Sequence, residues 1–155
     1  MGLSGKLIEE IEAYKDNVIK DLTVNEALIL VAVCAAKEEA DNNNNLIRNK
    51  NRIVALTKDH PVFLKCSDSI EPSVNKFMNM IKISDTVKYI IAAAKVLKPE
   101  YKETAFTWTA VILMPDGVLT EIRRNILDKY TILLDIDRKV REKVLVNISQ
   151  TFLVD

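Results

Sequence analysis

The chain has 155 residues, of which 48% are hydrophobic, and this length suits one domain, 1–155, with a sizeable core. Its 22 basic residues balance its 22 acidic residues, which argues against a nucleic-acid partner because binding a polyanion needs clustered lysine and arginine. The longest apolar run, Ala27–Ala36, is too short to cross a bilayer, so we expect a soluble, cytoplasmic domain without a transmembrane segment.

Helices dominate the first part of the chain. The whole chain has three glycines, whereas a sheet protein needs glycine for its hairpin turns. A first helix is predicted from apolar residues at three- and four-residue steps: Leu7, Ile8, Ile11, Tyr14, Val18 and Ile19. A capping box, Thr23 to Glu26, predicts a second helix from about Val24 to Glu39, apolar almost all round and therefore central. The polar run Asp41–Asn45 is predicted to end it.

The rest of the chain continues the helical pattern. A third helix carries Ile47, Val54 and Leu56, and the apolar turn 62–64 after it is predicted to pack onto the core. Five further helices begin at recognisable signals: Pro72, Ser84 or Asp85, Pro99, Thr120, and Asp135 or Asp137. The prediction is an all-α fold, a compact bundle of seven to eight helices.

An internal two-fold duplication is a further hypothesis. Segments 24–57 and 100–134 each contain an alanine-rich apolar helix, an acidic or amide-rich turn, and a helix rich in isoleucine and leucine. One register sets Glu38 against Asp116, and another sets Asp41 against Asp116. Both registers pair an acidic residue of the first half with the turn of the second.

No nucleophile-and-base pair stands out, so we expect a protein that is not an enzyme. His60, the single histidine, precedes a proline and suits a capping or solvated role. Cys34 lies among valine and alanine and suits a small buried residue. Cys66 lies in a loop, and the two cysteines do not make a disulfide framework. Trp108 is predicted to be a core residue.

Two acidic segments are candidates for cation binding. Asp41 opens the asparagine run, with Glu38 and Glu39 just before it. Counting from Asp41, the loop is not an EF-hand, because Leu46 replaces the glycine of the turn and Arg52 replaces the bidentate glutamate. An amide-rich interhelical loop without a cation is the alternative interpretation.

The second acidic segment is the turn into the seventh predicted helix. Asp116 and Glu121 lie across this turn, where oxygen ligands for Ca²⁺ or Mg²⁺ can gather. Both also suit structural roles, Asp116 in the turn and Glu121 at the positive end of a helix. The basic residues that follow alternate with aspartates and indicate a solvated surface; they are Arg123, Arg124, Lys129 and Arg138.

Three segments together resemble the tellurite-resistance TerB family. They are Val31–Ala35 followed by an acidic turn, Thr86–Ile90, and Ala105-Phe106 through Pro115-Asp116-Gly117. The resemblance covers about Val24 to Val140. It implies an all-helical bacterial cytoplasmic domain with an internal duplication, a non-enzymatic role in resistance to tellurite and chemical stress, and cation binding by acidic loops.

Carried over residue by residue, the resemblance is uneven. Asp116-Gly117 matches the second Asp-Gly of the family, whereas Asn42-Asn43 stand at the first. The family usually has acidic residues early in the next helix, and here only Glu121 remains of them. We therefore state two hypotheses: a stress-response protein that binds a divalent cation through Glu38, Asp41, Asp116 and Glu121, and a metal-free helical module that contacts a protein partner or itself.

Overall fold

The computed structural model describes Glu9 and residues 19–43 and 46–153, and in these residues it contains seven α-helices and no strand. The helices are α1 (Val24–Asn43), α2 (Leu46–Lys58), α3 (Ile70–Met80), α4 (Thr86–Val96), α5 (Pro99–Leu113), α6 (Glu121–Leu133) and α7 (Arg138–Leu153). The prediction of an all-α bundle is confirmed. The first predicted helix lies outside the described residues, apart from Glu9 and Ile19.

Helix α1 is the centre of the bundle, as its sequence predicts. Every residue from Ala27 to Ala36 is at most 2% exposed, because this stretch is apolar on all faces. Helices α2, α3, α4 and α5 all pack against it. Of the helices that the structure describes, none combines the length and the apolar character needed to span a membrane.

Local capping sets where several helices begin. The Thr23 hydroxyl accepts a hydrogen bond from the Glu26 amide, and the Glu26 carboxylate accepts one from the Thr23 amide, each at 3.1 Å. Thr120 caps α6 by accepting from the Arg123 amide at 3.3 Å. Pro99 is the first residue of α5, where its missing amide hydrogen costs nothing. These three predicted starts are confirmed.

The end of α1 differs from its prediction. The helix continues through Asn43 instead of stopping near Glu39, so Asp41 and Asn42 are helical residues and not parts of a loop. Asparagine and aspartate each disfavour a helix by about 0.7 kcal/mol relative to alanine. That penalty is small beside the burial of α1, which also extends to Glu38 and Glu39 at 7% and 2% exposure. The helix therefore extends into the polar run.

The segment between α2 and α3 returns to the core only in part. Phe63 is buried and Val62 is half-buried, as predicted, whereas Leu64 is 71% exposed. His60 caps this 3-10 turn, because its Nδ1 accepts from the Val62 amide at 3.2 Å. The His60 ring meets the buried Trp108 ring edge-on, with the centroids 5.7 Å apart. The predicted capping role of His60 and core role of Trp108 are confirmed.

Helix α6 ends in a Schellman motif that turns the chain toward α7. The Ile136 amide donates to the Thr131 carbonyl at 2.9 Å, and the Asp135 amide donates to the Ile132 carbonyl at 3.2 Å. Asp135 has φ 53°, the left-handed conformation that glycine usually provides at this position. Helix α7 then packs along α5.

Candidate functional site

A partly buried ion pair joins two helices of the bundle. Glu38, on the C-terminal half of α1, is 7% exposed, and its Oε1 accepts from the Lys129 ammonium of α6. The same oxygen accepts from the Thr86 hydroxyl at 3.3 Å. Because Thr86 is the first residue of α4, the Glu38 carboxylate connects α1, α4 and α6. A buried carboxylate needs such partners to offset its lost hydration.

The charges of this pair act on two buried groups, the Tyr130 phenol and the Cys34 thiol. The Lys129 ammonium lies 5.7 Å from the centroid of the buried Tyr130 ring. Burial raises the pKa of the Cys34 thiol, the nearby charge of Glu38 raises it further, and Lys129 partly opposes them. Burial also raises the pKa of the Tyr130 phenol, with Cys34 and Glu38 adding to it. Both groups are therefore neutral at pH 7, and a protonated thiol is a poor nucleophile.

The neighbouring Glu39 belongs to a second buried contact. It is 2% exposed, and its Oε2 accepts from Nδ2 of the fully buried Asn49 of α2 at 2.8 Å. Arg52, one turn further along α2, donates to the Val111 carbonyl of α5 at 3.4 Å. Burial lowers the pKa of Arg52, the charge of Arg48 lowers it further, and Glu39 opposes this change. Glu38 and Glu39 thus bind helix α1 to different neighbours.

The turn before α6 holds the exposed Asp116 in a separate ion pair. Its Oδ1 accepts from the Val118 amide at 3.1 Å and from Nη1 of Arg123 at 2.5 Å. Gly117 supplies φ 74°, which this turn requires. Arg123 also donates to the Val118 carbonyl at 2.7 Å, so it clamps the turn at two points. The Val118 amide and, after it, Arg123 lower the pKa of Asp116, although slight burial opposes them.

The four predicted metal ligands are therefore placed in different settings. Glu38 is inside a helix and paired with Lys129, and Asp116 is in a turn and paired with Arg123. Glu121 is exposed at the first position of α6. Asp41 is helical, and its side chain lies outside the described residues. In the part of the chain that the structure describes, no three histidine, cysteine, aspartate or glutamate side chains are grouped to hold a metal ion.

The basic side chains that pair with Glu38 and Asp116 were not predicted from the sequence. The prediction that Lys129 and Arg123 lie on a solvated surface is wrong, because their side chains are only 33% and 15% exposed. A signal was present for Lys129, because it falls between Ile126 and Leu133 at helical spacing, on the apolar side of α6. A charge in that position requires a buried partner, and Glu38 is that partner.

Comparison of the chain with protein-family models, curated proteins and solved structures finds no match in any of the three. The ion pairs of the predicted cation ligands Glu38 and Asp116 both end on helix α6, at Lys129 and at Arg123.

Proposed function

We propose that this chain is a non-enzymatic bacterial stress-response domain, similar to the tellurite-resistance TerB family, that works as a metal-free helical interaction module. The family resemblance supports the stress-response part of the proposal. The contacts of Glu38 and Asp116 support the choice of a metal-free module over a cation sensor.

The observation that carries the proposal is that α6 places a positively charged side chain beside each of two predicted cation ligands. Lys129 pairs with Glu38, and Arg123 pairs with Asp116. A Ca²⁺ ion needs six to eight oxygen ligands, and a positive side chain beside the carboxylate opposes its binding. A cation at either place would first have to displace an ammonium or a guanidinium group.

The two ion pairs also give α6 a structural role. Arg123 fixes the turn at the start of the helix, and Lys129 anchors its middle to α1 and, through Glu38, to Thr86 of α4. In this proposal the two basic side chains neutralise carboxylates that a cation would otherwise need as ligands. The bundle would then present its helix faces to a protein without responding to metal.

Isothermal titration calorimetry of the full chain with CaCl₂, MgCl₂ and ZnCl₂ tests the metal-free part of the proposal. We expect no saturable heat at millimolar metal for the wild-type chain or for Asp116→Asn. Arg123→Gln, which leaves Asp116 without its base, is the matched variant and should gain at most weak binding. Saturable binding to the wild-type chain that Asp116→Asn abolishes would support the cation sensor and remove this part of the proposal.

A growth assay tests the stress-response part. Tellurite-sensitive bacteria that express the wild-type chain should tolerate more tellurite than cells with an empty vector. Asp116→Asn with Glu121→Gln should protect equally, because neither carboxylate is needed for a metal. No protection by a well-expressed wild-type chain would contradict a role in tellurite resistance, and loss of protection in the double variant would contradict the metal-free mechanism.

A further inference from the structure

A cleft lies between helices α5 and α7, where α7 packs along α5. Its volume is about 390 Å³, which is at the small end of the range for ligand sites and suits a small metabolite. Both helices supply side chains to its lining, which includes Glu103 and Thr107 of α5 and Val140, Lys143, Val144 and Ile148 of α7. We call this feature the α5–α7 cleft.

The floor of the α5–α7 cleft is apolar. Val140, Val144 and Ile148 follow one another at four-residue steps, so they lie on one face of α7. Ile148 is buried and the two valines are half-buried, because this face packs against α5. A ligand whose apolar atoms contact this floor would gain the free energy of removing them from water.

The rim of the cleft carries one charge of each sign. Glu103 of α5 and Lys143 of α7 are both exposed, and both line the cleft. Among the residues that the structure describes, neither side chain forms an ion pair, with the other or with a third residue. A neighbouring base of α7 differs, because Arg141 pairs with Asp128 of α6. Both rim charges are therefore available to a ligand.

The two rim charges lie at the same end of the cleft. Ser149, near the C-terminal end of α7, donates to the carbonyl of Gly117, which follows α5, at 3.5 Å. Helices α5 and α7 therefore run in the same direction. Glu103 and Lys143 both lie in the first half of their helices, so the carboxylate and the ammonium flank the end of the cleft where the two helices begin.

This arrangement matches a free α-amino acid with an apolar side chain. Such a molecule carries an ammonium and a carboxylate on one carbon atom, and these groups can meet Glu103 and Lys143 at one end of the cleft. Its side chain can then extend along the apolar floor. A ligand with only one of the two charges would leave the other rim residue without a counter-charge, and a polyanion would be repelled by Glu103.

We propose that the α5–α7 cleft is a binding site for a small zwitterionic amino acid with an apolar side chain. Lys143 binds the carboxylate of the ligand, Glu103 binds its ammonium, and the floor contacts its side chain. This site goes beyond the proposed function, because it adds a small-molecule ligand to the helical module. None of its residues takes part in the ion pairs of Glu38 and Asp116.

NMR titration of the full chain, labelled with nitrogen-15, tests the site with L-leucine and three analogues. L-Leucine should shift the amide signals of residues 103–107 and 140–148 saturably, with a Kd of about 1 mM or tighter. Isocaproate lacks the ammonium and isoamylamine lacks the carboxylate, and each should bind at least about tenfold more weakly because one charge-assisted hydrogen bond is lost. Glycine, which lacks the apolar side chain, should also bind at least about tenfold more weakly.

Substitutions of the rim residues locate the binding. Lys143→Met and Glu103→Gln should each weaken the binding of L-leucine by at least about tenfold. Lys139→Met is the matched control, because Lys139 is exposed on α7 and does not line the cleft, and it should bind as the wild-type chain does. All three side chains are exposed, so the variants should fold, and their amide spectra check this.

Four results would overturn the amino-acid site: no saturable shift with L-leucine, saturable shifts only outside residues 103–107 and 140–148, equal binding of L-leucine and any analogue, or unchanged binding in either rim variant. The metal titrations and the growth assay use variants of other residues and do not involve the cleft. Failure of either proposal therefore leaves the other standing.

Discussion

Lys129 of α6 reaches Glu38 of α1 across 91 positions of sequence, and the two side chains differ in their access to water. The Glu38 side chain is 8% exposed, whereas that of Lys129 is 33% exposed. If the pair is broken, the ammonium can therefore be hydrated, whereas the buried carboxylate cannot. The loss of protein stability should therefore depend strongly on which of the two side chains is replaced.

Lys129→Met should destabilise the chain more than Glu38→Gln does. The lysine variant leaves a buried carboxylate without its base and should lower the free energy of unfolding by about 2–4 kcal/mol. The glutamine variant keeps an acceptor for the Thr86 hydroxyl and lets Lys129 turn toward water, so it should cost about 1–2 kcal/mol. Urea unfolding at pH 7, followed by circular dichroism, measures both values.

The matched control for this prediction is an exposed pair. Arg138 and Glu142 lie 3.1 Å apart with side chains 89% and 62% exposed. Arg138→Ala should change the free energy of unfolding by no more than about 0.5 kcal/mol, because surface pairs contribute little. A Lys129→Met chain as stable as Arg138→Ala would show that the Glu38 contact is not a stabilising element of the core.

The second prediction concerns the titration of Asp116. The Val118 amide and the Arg123 guanidinium hold the pKa of Asp116 below its ordinary value of 3.8. A carboxyl group whose pKa is lowered in the folded state stabilises the fold above its unfolded pKa, and the stabilisation is lost as the pH falls through the folded pKa. Carbon-detected NMR of the carboxyl group should therefore give a midpoint below 3.8.

Arg123→Gln separates the two causes of that shift. The midpoint should rise toward 3.8 but remain below it, because the Val118 amide still donates to the carboxylate. Asp116→Asn should remove the corresponding loss of stability, which sets in as the pH falls below the ordinary value of 3.8. A wild-type midpoint at or above 3.8, or one that Arg123→Gln does not move, would contradict the contacts of this turn.

Local signals in the sequence were sufficient for most of the fold. The reciprocal contacts of Thr23 and Glu26 lie within one helical turn, and the apolar run Ala27–Ala36 itself predicts a buried helix. Thr120 caps α6 through an equally local contact, because its side chain accepts from the Arg123 amide three residues later. Such features depend on residues three or four positions apart, so they can be predicted before any packing is known.

The candidate site depends on contacts between residues far apart in the sequence, which local patterns do not predict. The polar run after Glu38 and Glu39 predicts that these two residues lie at the edge of a loop, because short polar side chains compete with a helix. Burial against other helices extended α1 and directed Glu38 to Lys129, a residue that charge patterning alone assigned to the solvent. Pairing between distant residues is decided by packing, which no local pattern encodes.

The third prediction concerns the two cysteines, which are both free. Cys34 is fully buried and its pKa is raised, whereas Cys66 is half-buried and its sulfur accepts from the side-chain Nδ2 of Asn25 at 2.9 Å. Because the thiolate is the reactive form, Ellman's reagent should modify Cys66 and leave Cys34 intact in the folded chain at pH 8.

Thiol counting checks this order of reactivity. The wild-type chain should release about one equivalent of thionitrobenzoate when folded and about two in guanidinium chloride. Cys66→Ser should release almost none when folded and about one when unfolded. Rapid labelling of the folded Cys66→Ser chain would mean that the core around Cys34 opens readily.

The fourth prediction uses the Schellman motif at the end of α6. Asp135 adopts φ 53°, in which a side chain with a Cβ atom is strained and glycine is not. Asp135→Gly should therefore be more stable than Asp135→Ala by about 1 kcal/mol in thermal or urea unfolding. Both variants remove the same negative charge from the helix C-terminus, so their difference isolates the backbone conformation. Equal stability of the two variants would mean that residue 135 leaves the left-handed region in solution, and the turn that sets α7 against α5 would then rest on other contacts.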